Sequence, residues 1–282
     1  MKKTTKSQAQ SVVRQSGVQP AALIFAGYGL NCEEETAHAF QLAGATPTIV
    51  HINDLIAAPE KLKQFQIAAI PGGFSYGDDT GSGNAYANKL RNTLWEHLSQ
   101  FVQRDTLTIG ICNGFQILVN LGLVPACDNA YGERSAALMK NSGGLYLDRW
   151  VDLVVANQSP WLTGLTEFSL PIAHGEGKFY VEPEVLVRLK KNNQIALRYT
   201  HGTVCQYQDY PANPNGALDD VAGITDPSGR VLGLMPHPER GMFFTQQPHW
   251  QMMKERNVRS GKPIPQYAAG FTLFQNAVAY FG

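Results

Sequence analysis

The chain has 282 residues, 44% hydrophobic, 10% aromatic and only 16% charged, so it can bury one large core or two modest ones and reads as globular. Lysine plus arginine balances aspartate plus glutamate at 23 each, which removes any general attraction for a phosphate backbone or an anionic membrane and argues against nucleic acid as a partner. Four cysteines without CxxC spacing suggest neither a disulfide framework nor a zinc site.

Residues 1–20 carry four basic and no acidic residues among many Ser, Thr and Gln, with none of the apolar run a signal peptide requires. A disordered basic tail on a cytosolic protein is the expectation. From Ala21 the pattern alternates: "AALIFAGYG" is a buried strand, "CEEETAHAFQLA" a helix with acids in its first turn, and "TPTIVHI" a second strand. "IAAIPGG", the long amphipathic "NAYANKLRNTLWEHLSQFV" and "TLTIGIC" come next as strand, helix and strand. Such alternation predicts an α/β fold, an open and mostly parallel twisted sheet with helices on both faces. After Pro125 the texture becomes antiparallel: "WVDLVVA", "EFSLPIAHGEGKFYV", "IALRYT" and "VAGITDPSGRVLGLMPHPER" read as shorter strands, the last folded about a Pro-Ser-Gly-Arg turn. "FTLFQNAVAYFG" closes the chain as a helix, while 244–267 give no clear pattern. Residues 21–282 are expected to form one domain with a C-terminal extension.

The chemistry concentrates where strand "TLTIGIC" meets the next helix, at Gly110-Ile111-Cys112-Asn113-Gly114-Phe115-Gln116. A turn this tight pushes its central side chain out at the carboxyl edge of the sheet, and small neighbours let the flanking backbone approach. Cysteine stands there in the place of a nucleophilic serine. The helix N-terminus favours its thiolate, and the Asn113 N–H faces the position where an oxyanion would form. The competing reading is a packed cysteine with glycines for close helix–sheet contact. A base and an orienting group lie in "GLMPHPERGM": His237 and Glu239, two apart in extended geometry, face the same way, and Pro236 and Pro238 limit the backbone. Alone, they also fit a proline-rich loop with a surface glutamate. "IPGGFSYGDD" places Gly72 and Gly73 on the same edge, with a plain βα turn as the alternative. "PIAHGEGKFY" interleaves His174, Glu176 and Lys178 with glycines, as a polar pocket wall or a hairpin tip. No G-x-x-x-x-G-K-[ST] loop for ATP and no dinucleotide G-x-G-x-x-G occur. Cys127, Cys205 in a strand-like "GTVCQY", and Cys32 ahead of Glu33, Glu34 and Glu35 read as structural cysteines, none a nucleophile.

Taken together, these motifs make the chain resemble the class I, or triad, glutamine amidotransferases, whose G-x-C-x-G-x-Q elbow is matched at every fixed position from Gly110 to Gln116. More narrowly, "GYGLNCEEETAHAFQLAG", "PGGFSYGDD", "GICNGFQ", "HGEGKF" and "PHPER" are similar to the glutaminase components of phosphoribosylformylglycinamidine synthases, which serve purine biosynthesis. The resemblance implies a flavodoxin-like core and a γ-glutamyl thioester on Cys112, with His237 as acid and base and Glu239 orienting it. It implies oxyanion N–H groups from Gly73 and Asn113, and substrate contacts from Phe74, Gln116, His174, Gly175 and Glu176. It further implies glutamine as substrate, no metal or cofactor in this chain, and ammonia delivery to a separate synthetase subunit that carries ATP and Mg, with or without a small third subunit. The glycine loop from Phe74 to Gly83 and the "HGEGKF" hairpin are the expected coupling elements. Two other readings stay open from the sequence: a free-standing cysteine hydrolase of γ-glutamyl compounds, and an inactive scaffold of the synthetase.

Overall fold

The computed structural model describes residues 19–282, so the expected basic tail lies, but for its last two residues, outside the described residues. Eleven strands are described: β1 (Ala21–Ala26), β2 (Thr46–His51), β3 (Ile67–Ile70), β4 (Leu107–Ile111), β5 (Ala136–Lys140), β6 (Leu147–Val155), β7 (Glu167–His174), β8 (Glu176–Val181), β9 (Ile195–Thr200), β10 (Val221–Thr225) and β11 (Val231–Leu234). The α-helices are α1 (Glu33–Ala43), α2 (Ile52–Ala57), α3 (Asn84–Gln103), α4 (Asn113–Leu121), α5 (Pro183–Lys191), α6 (Thr203–Gln208), α7 (Trp250–Arg259) and α8 (Ala269–Ala279). Among the described residues no helix is long and apolar enough to cross a membrane.

Nine strands form one sheet in the order β2-β1-β3-β4-β11-β10-β9-β6-β7, and β5 pairs with β8 in a separate ribbon. The first five run parallel and the last four antiparallel. The chain moves from β1 outward to β2, then returns past β1 to β3 and β4. Right-handed crossovers in these opposite directions put α1 on one face and α3 on the other. On the first face α1 packs on α8, with Phe40 edge-on to Phe274 at 5.0 Å between ring centroids. On the other, α3 packs on α4, and Arg91 of α3 caps the carboxyl end of α4 by donating to Asn120 O and Leu121 O at 3.1 and 2.8 Å. Helices on both faces explain why β3, β4 and β11 are buried at every position and read as unbroken apolar runs. By contrast, β7 alternates buried with part-exposed residues, as an antiparallel edge strand should.

The expected elements from Ala21 to Ile111 are all present, and so are the late strands and the closing helix. One expectation fails: "GTVCQY" is not a strand but helix α6. Its β-branched, alternating residues suggest extension, but the buried Asp152 carboxylate on β6 accepts the N–H groups of Gly202, Val204 and Cys205 at 3.0, 3.2 and 2.8 Å. That supplies a helix start from a distant residue, and tertiary capping overrides local propensity. Strand β5 and helices α2, α5 and α7 carry no individual expectation from the sequence.

The tightest backbone approach in the parallel half is at Gly114. A methyl group there would stand 1.8 Å from Ile70 O, a backbone atom of β3 that cannot swing aside. Gly114→Ala is expected to destabilise the protein by about 3 kcal/mol, the upper end for overpacking, as measured by urea unfolding. Gly143→Ala, where the added carbon meets nothing within 4 Å, is the matched control and should leave the midpoint unchanged.

Candidate active site

Parallel strands deliver their carboxyl ends to one edge of a sheet. Register Ile70↔Gly110 and Leu234↔Ile111 brings the ends of β3, β4 and β11 to one level, and β1 lies beside β3. The segments that leave these strand ends are therefore neighbours in space: Gly27–Cys32 after β1, Pro71–Gly73 after β3, Cys112 after β4 and Met235–Arg240 after β11. The site sits at these carboxyl ends, where open α/β sheets place their ligands.

Cys112 has φ +53° and ψ −106°, a strained conformation for a residue with a Cβ, and it directly precedes the first residue of α4. It is 5% exposed, and its thiol donates to Ala173 O at 3.6 Å. His237 leaves β11 with its N–H on Pro171 O at 2.8 Å, and its Nδ1 meets Glu239 Oε1 at 2.5 Å with both side chains buried. Nε2 is buried without a hydrogen-bond partner and so remains free for a reacting group. Burial works to lower the basicity of this imidazole, but Glu239 and then Cys112 more than offset it and hold the pKa well above the usual 6.5. A methyl group placed on Gly72 would lie 2.7 Å from His237 Cε1, 3.3 Å from Cys32 Sγ and 3.5 Å from Cys112 Cβ. The ring, the Cys32 sulfur and the Cys112 β-carbon thus border one small space that only glycine leaves open.

Gly73 and Asn113, the expected oxyanion donors, follow the ends of β3 and β4. Gly73 forms an antiparallel bridge with Leu30, flanked by Phe74 N–H to Gly29 O at 2.8 Å and Asn31 N–H to Gly72 O at 3.0 Å. In such a non-hydrogen-bonded pair the Gly73 N–H points away from the partner segment. Its φ of +152° and a distance of 2.4 Å from a hypothetical Cβ to Gly29 O require glycine there. Asn113 is the first residue of α4, where the N–H has no partner within the helix.

Other expected contacts are engaged inside the protein. The Asn113 side chain accepts from Ser75 N–H at 3.2 Å and donates to Asp78 Oδ1 at 3.3 Å and to Gln116 Oε1 at 2.7 Å. Gln116 Nε2 donates to Glu176 O at 2.6 Å, and Glu176 Oε2 accepts from Ser82 N–H at 3.2 Å. Gln116 and Glu176 therefore tie the elbow, the glycine loop and the hairpin together. His174 is buried, with Nδ1 3.1 Å from Asn141 Oδ1, and burial followed by repulsion from His237 lowers its pKa to about 3, so it stays neutral. Gly175 O accepts from Asn141 N–H at 3.0 Å. Phe74 is 45% exposed and faces Tyr146 at 6.1 Å between ring centroids.

A model of the CobB/CobQ-like glutamine amidotransferase domain matches residues 19–281. The chain belongs to that family. It is 48% identical, over 94% of its length and 98% of the relative's, to the phosphoribosylformylglycinamidine synthase subunit PurQ of Methanococcus maripaludis strain C7. It is 41% identical, over 92% and 96%, to the subunit of the same name from Dehalococcoides mccartyi. A chain of the solved structure of PurLQS from Thermotoga maritima superposes with a TM-score of 0.69 at 29% identity, covering 94% of this chain and 100% of that one.

Within this amidotransferase the structure adds four residues that sequence reasoning missed. Ala173 gives its carbonyl to Cys112, one residue before the expected His174. Tyr146 stands close enough that, beside burial, Cys112 pushes its phenol up and His237 pulls it down. Cys32 is fully buried with its sulfur at the site, and Arg240 Nη2 donates to that sulfur at 2.8 Å. The available signal for Cys32 was its place at the end of the loop after β1, on the same sheet edge as the elbow.

The two buried histidines should titrate oppositely. Nitrogen-15 NMR of labelled histidine is expected to show His237 losing its imidazolium proton only well above its ordinary 6.5, because its pKa is raised, and His174 as one neutral tautomer down to about pH 5, because its pKa is lowered. Titration of His237 below its ordinary value would contradict the charge arrangement.

Proposed function

We propose that the chain is the glutaminase subunit of a phosphoribosylformylglycinamidine synthase and that Cys112, His237 and Glu239 carry its chemistry. The observation that supports this most is the strained Cys112 elbow beside the buried His237–Glu239 pair, in a chain similar end to end to proteins of that name. Cys112 attacks the side-chain amide carbon of glutamine as the thiolate, its proton having passed to His237, and the N–H groups of Gly73 and Asn113 receive the oxyanion. His237, held as imidazolium by Glu239, protonates the departing ammonia and leaves a γ-glutamyl thioester. The neutral imidazole then takes a proton from water, which attacks the thioester, and collapse returns the Cys112 thiolate beside the imidazolium and releases glutamate with a proton to solvent.

Residues 21–282 act as one domain, and no step in this cycle needs a metal or cofactor from it. ATP and Mg belong to the synthetase subunit, which consumes the ammonia; the likeness to a chain of PurLQS supports such a partner, with a small third subunit beside it. Phe74, beside Tyr146 at the exposed rim, and the His174–Glu176 turn border the glutamine. The purine-pathway reaction proposed for it supports the cytosol as its location.

In the reconstituted complex, Cys112→Ser is expected to lower glutamine-dependent product at least about 10³-fold while ammonia-dependent product persists. Equal loss of both would defeat the assignment. Hydrolysis by the chain alone should be low and rise strongly with the synthetase, its nucleotide substrate and ATP. Full activity in isolation would favour the free-standing hydrolase.

A further inference from the structure

Arg240 is the residue after Glu239, and its position poses a problem for the His237–Glu239 pair. Its Nε lies 3.8 Å from Glu239 Oε1, the oxygen that holds His237, and Glu239 Oε2 is buried without a partner. A guanidinium beside a half-unpaired carboxylate ordinarily closes on it as a two-pronged pair. Here it does not. Its Nη2 goes instead to Cys32 Sγ at 2.8 Å.

Cys32 is rigidly placed for this. It is fully buried, its N–H reaches Gly72 O at 3.3 Å, and its carbonyl accepts the N–H and hydroxyl of Thr36 at 3.1 and 2.7 Å. Donor atoms of Cys32, His237 and Glu239 lie within 4.8 Å of one another, a spacing a metal ion could use. The guanidinium already supplies the positive charge there.

We propose that Cys32 is a positioning residue, whose sulfur holds the Arg240 guanidinium off the Glu239 carboxylate and so reserves that carboxylate for His237. The inference rests on the reading of Cys112, His237 and Glu239 as the reacting triad. Without the sulfur, Arg240 swings onto Glu239 and competes for Oε1. The imidazolium then loses part of its counter-charge, its pKa falls, and the proton needed to expel ammonia is lost at lower pH. Cys32 also acts on His237 directly, raising its pKa, and a direct effect would persist in the double variant; the other groups acting on His237 or sensing it are Cys112, His174 and Tyr146, all kept in the variants that test the role of Cys32.

The test measures glutamine hydrolysis against pH in the reconstituted complex for Cys32→Ala, Cys32→Ser, Arg240→Met and the Cys32→Ala/Arg240→Met double variant. Cys32→Ala is expected to lose about 10- to 100-fold in kcat, less than removal of the acid–base group itself would cost at its upper limit. Its alkaline limb should move down by about one pH unit. Cys32→Ser, which keeps an acceptor for the guanidinium, should retain the wild-type limb. The double variant should behave like Arg240→Met alone, because removing the competitor removes the need for its anchor. An additive loss in the double variant would overturn the proposal, as would a lowered Tm in Cys32→Ala with an unmoved limb. Cys112→Ser serves as the control. If it stays active, the triad reading fails; if it is inactive while Cys32→Ala keeps the wild-type limb, only the role of Cys32 fails.

Discussion

The hydrogen bond from Cys112 N–H to Leu234 O, 2.8 Å long, continues the β4–β11 ladder one residue past the end of β4. It fixes the Cys112 backbone level with the end of the strand that leads to His237. Because the pairing is parallel, both strands exit on the same edge, and three residues beyond Leu234 the chain has reached His237. A one-residue slip would turn every side chain to the opposite face and send the cysteine away from the imidazole. Continuous burial along both strands makes such a slip costly, so the core sets the spacing of Cys112 and His237.

The pair held there is not a stabilising device. Taking a carboxylate and an imidazolium out of water costs several kcal/mol per ion, and their attraction regains this only with good geometry and satisfied hydrogen bonds. Glu239 Oε2 has no such bond. The fold carries this cost because the same desolvation strengthens the grip of Glu239 on the imidazolium. A water-exposed pair of this kind would be worth little.

How legible each part was in the sequence depends on the range of the interactions involved. The elbow could be read because its requirement is local: Gly110 and Gly114 flank the cysteine, and the need for Gly114 is met by a single backbone atom of the adjacent strand. His237 and Glu239 could be read because two prolines hold their spacing. Cys32 could not. Its chain neighbours Glu33, Glu34 and Glu35 argue against a charged role, whereas the residue that decides its environment, Arg240, stands 208 positions away. Helix α6 was hidden for the same reason, since its cap comes from Asp152 on another strand. Gln116 and Glu176 matched a motif, but only the structure shows both committed to internal hydrogen bonds.

Those bonds give the 74–83 loop a physical path to the elbow. Asn113, the proposed oxyanion donor, holds Ser75 and Asp78 through its side chain, and Gln116 carries the tie on to Glu176 and thence to Ser82. Displacing the 74–83 loop must break the ties at Ser75, Asp78 and Ser82. The first is between neutral groups, and the other two involve a carboxylate. Asp78 is a weak link, because burial and the nearby Glu176 both raise its pKa. At about 1 kcal/mol for a neutral bond and about 1.5 to 3 for a charged one, the three amount to about 4 to 7 kcal/mol. That exceeds the roughly 1 to 3 kcal/mol of a typical allosteric coupling. A shift on that scale loosens one or two of these ties rather than all three, and it reaches Asn113 through its bonds to Ser75 and Asp78.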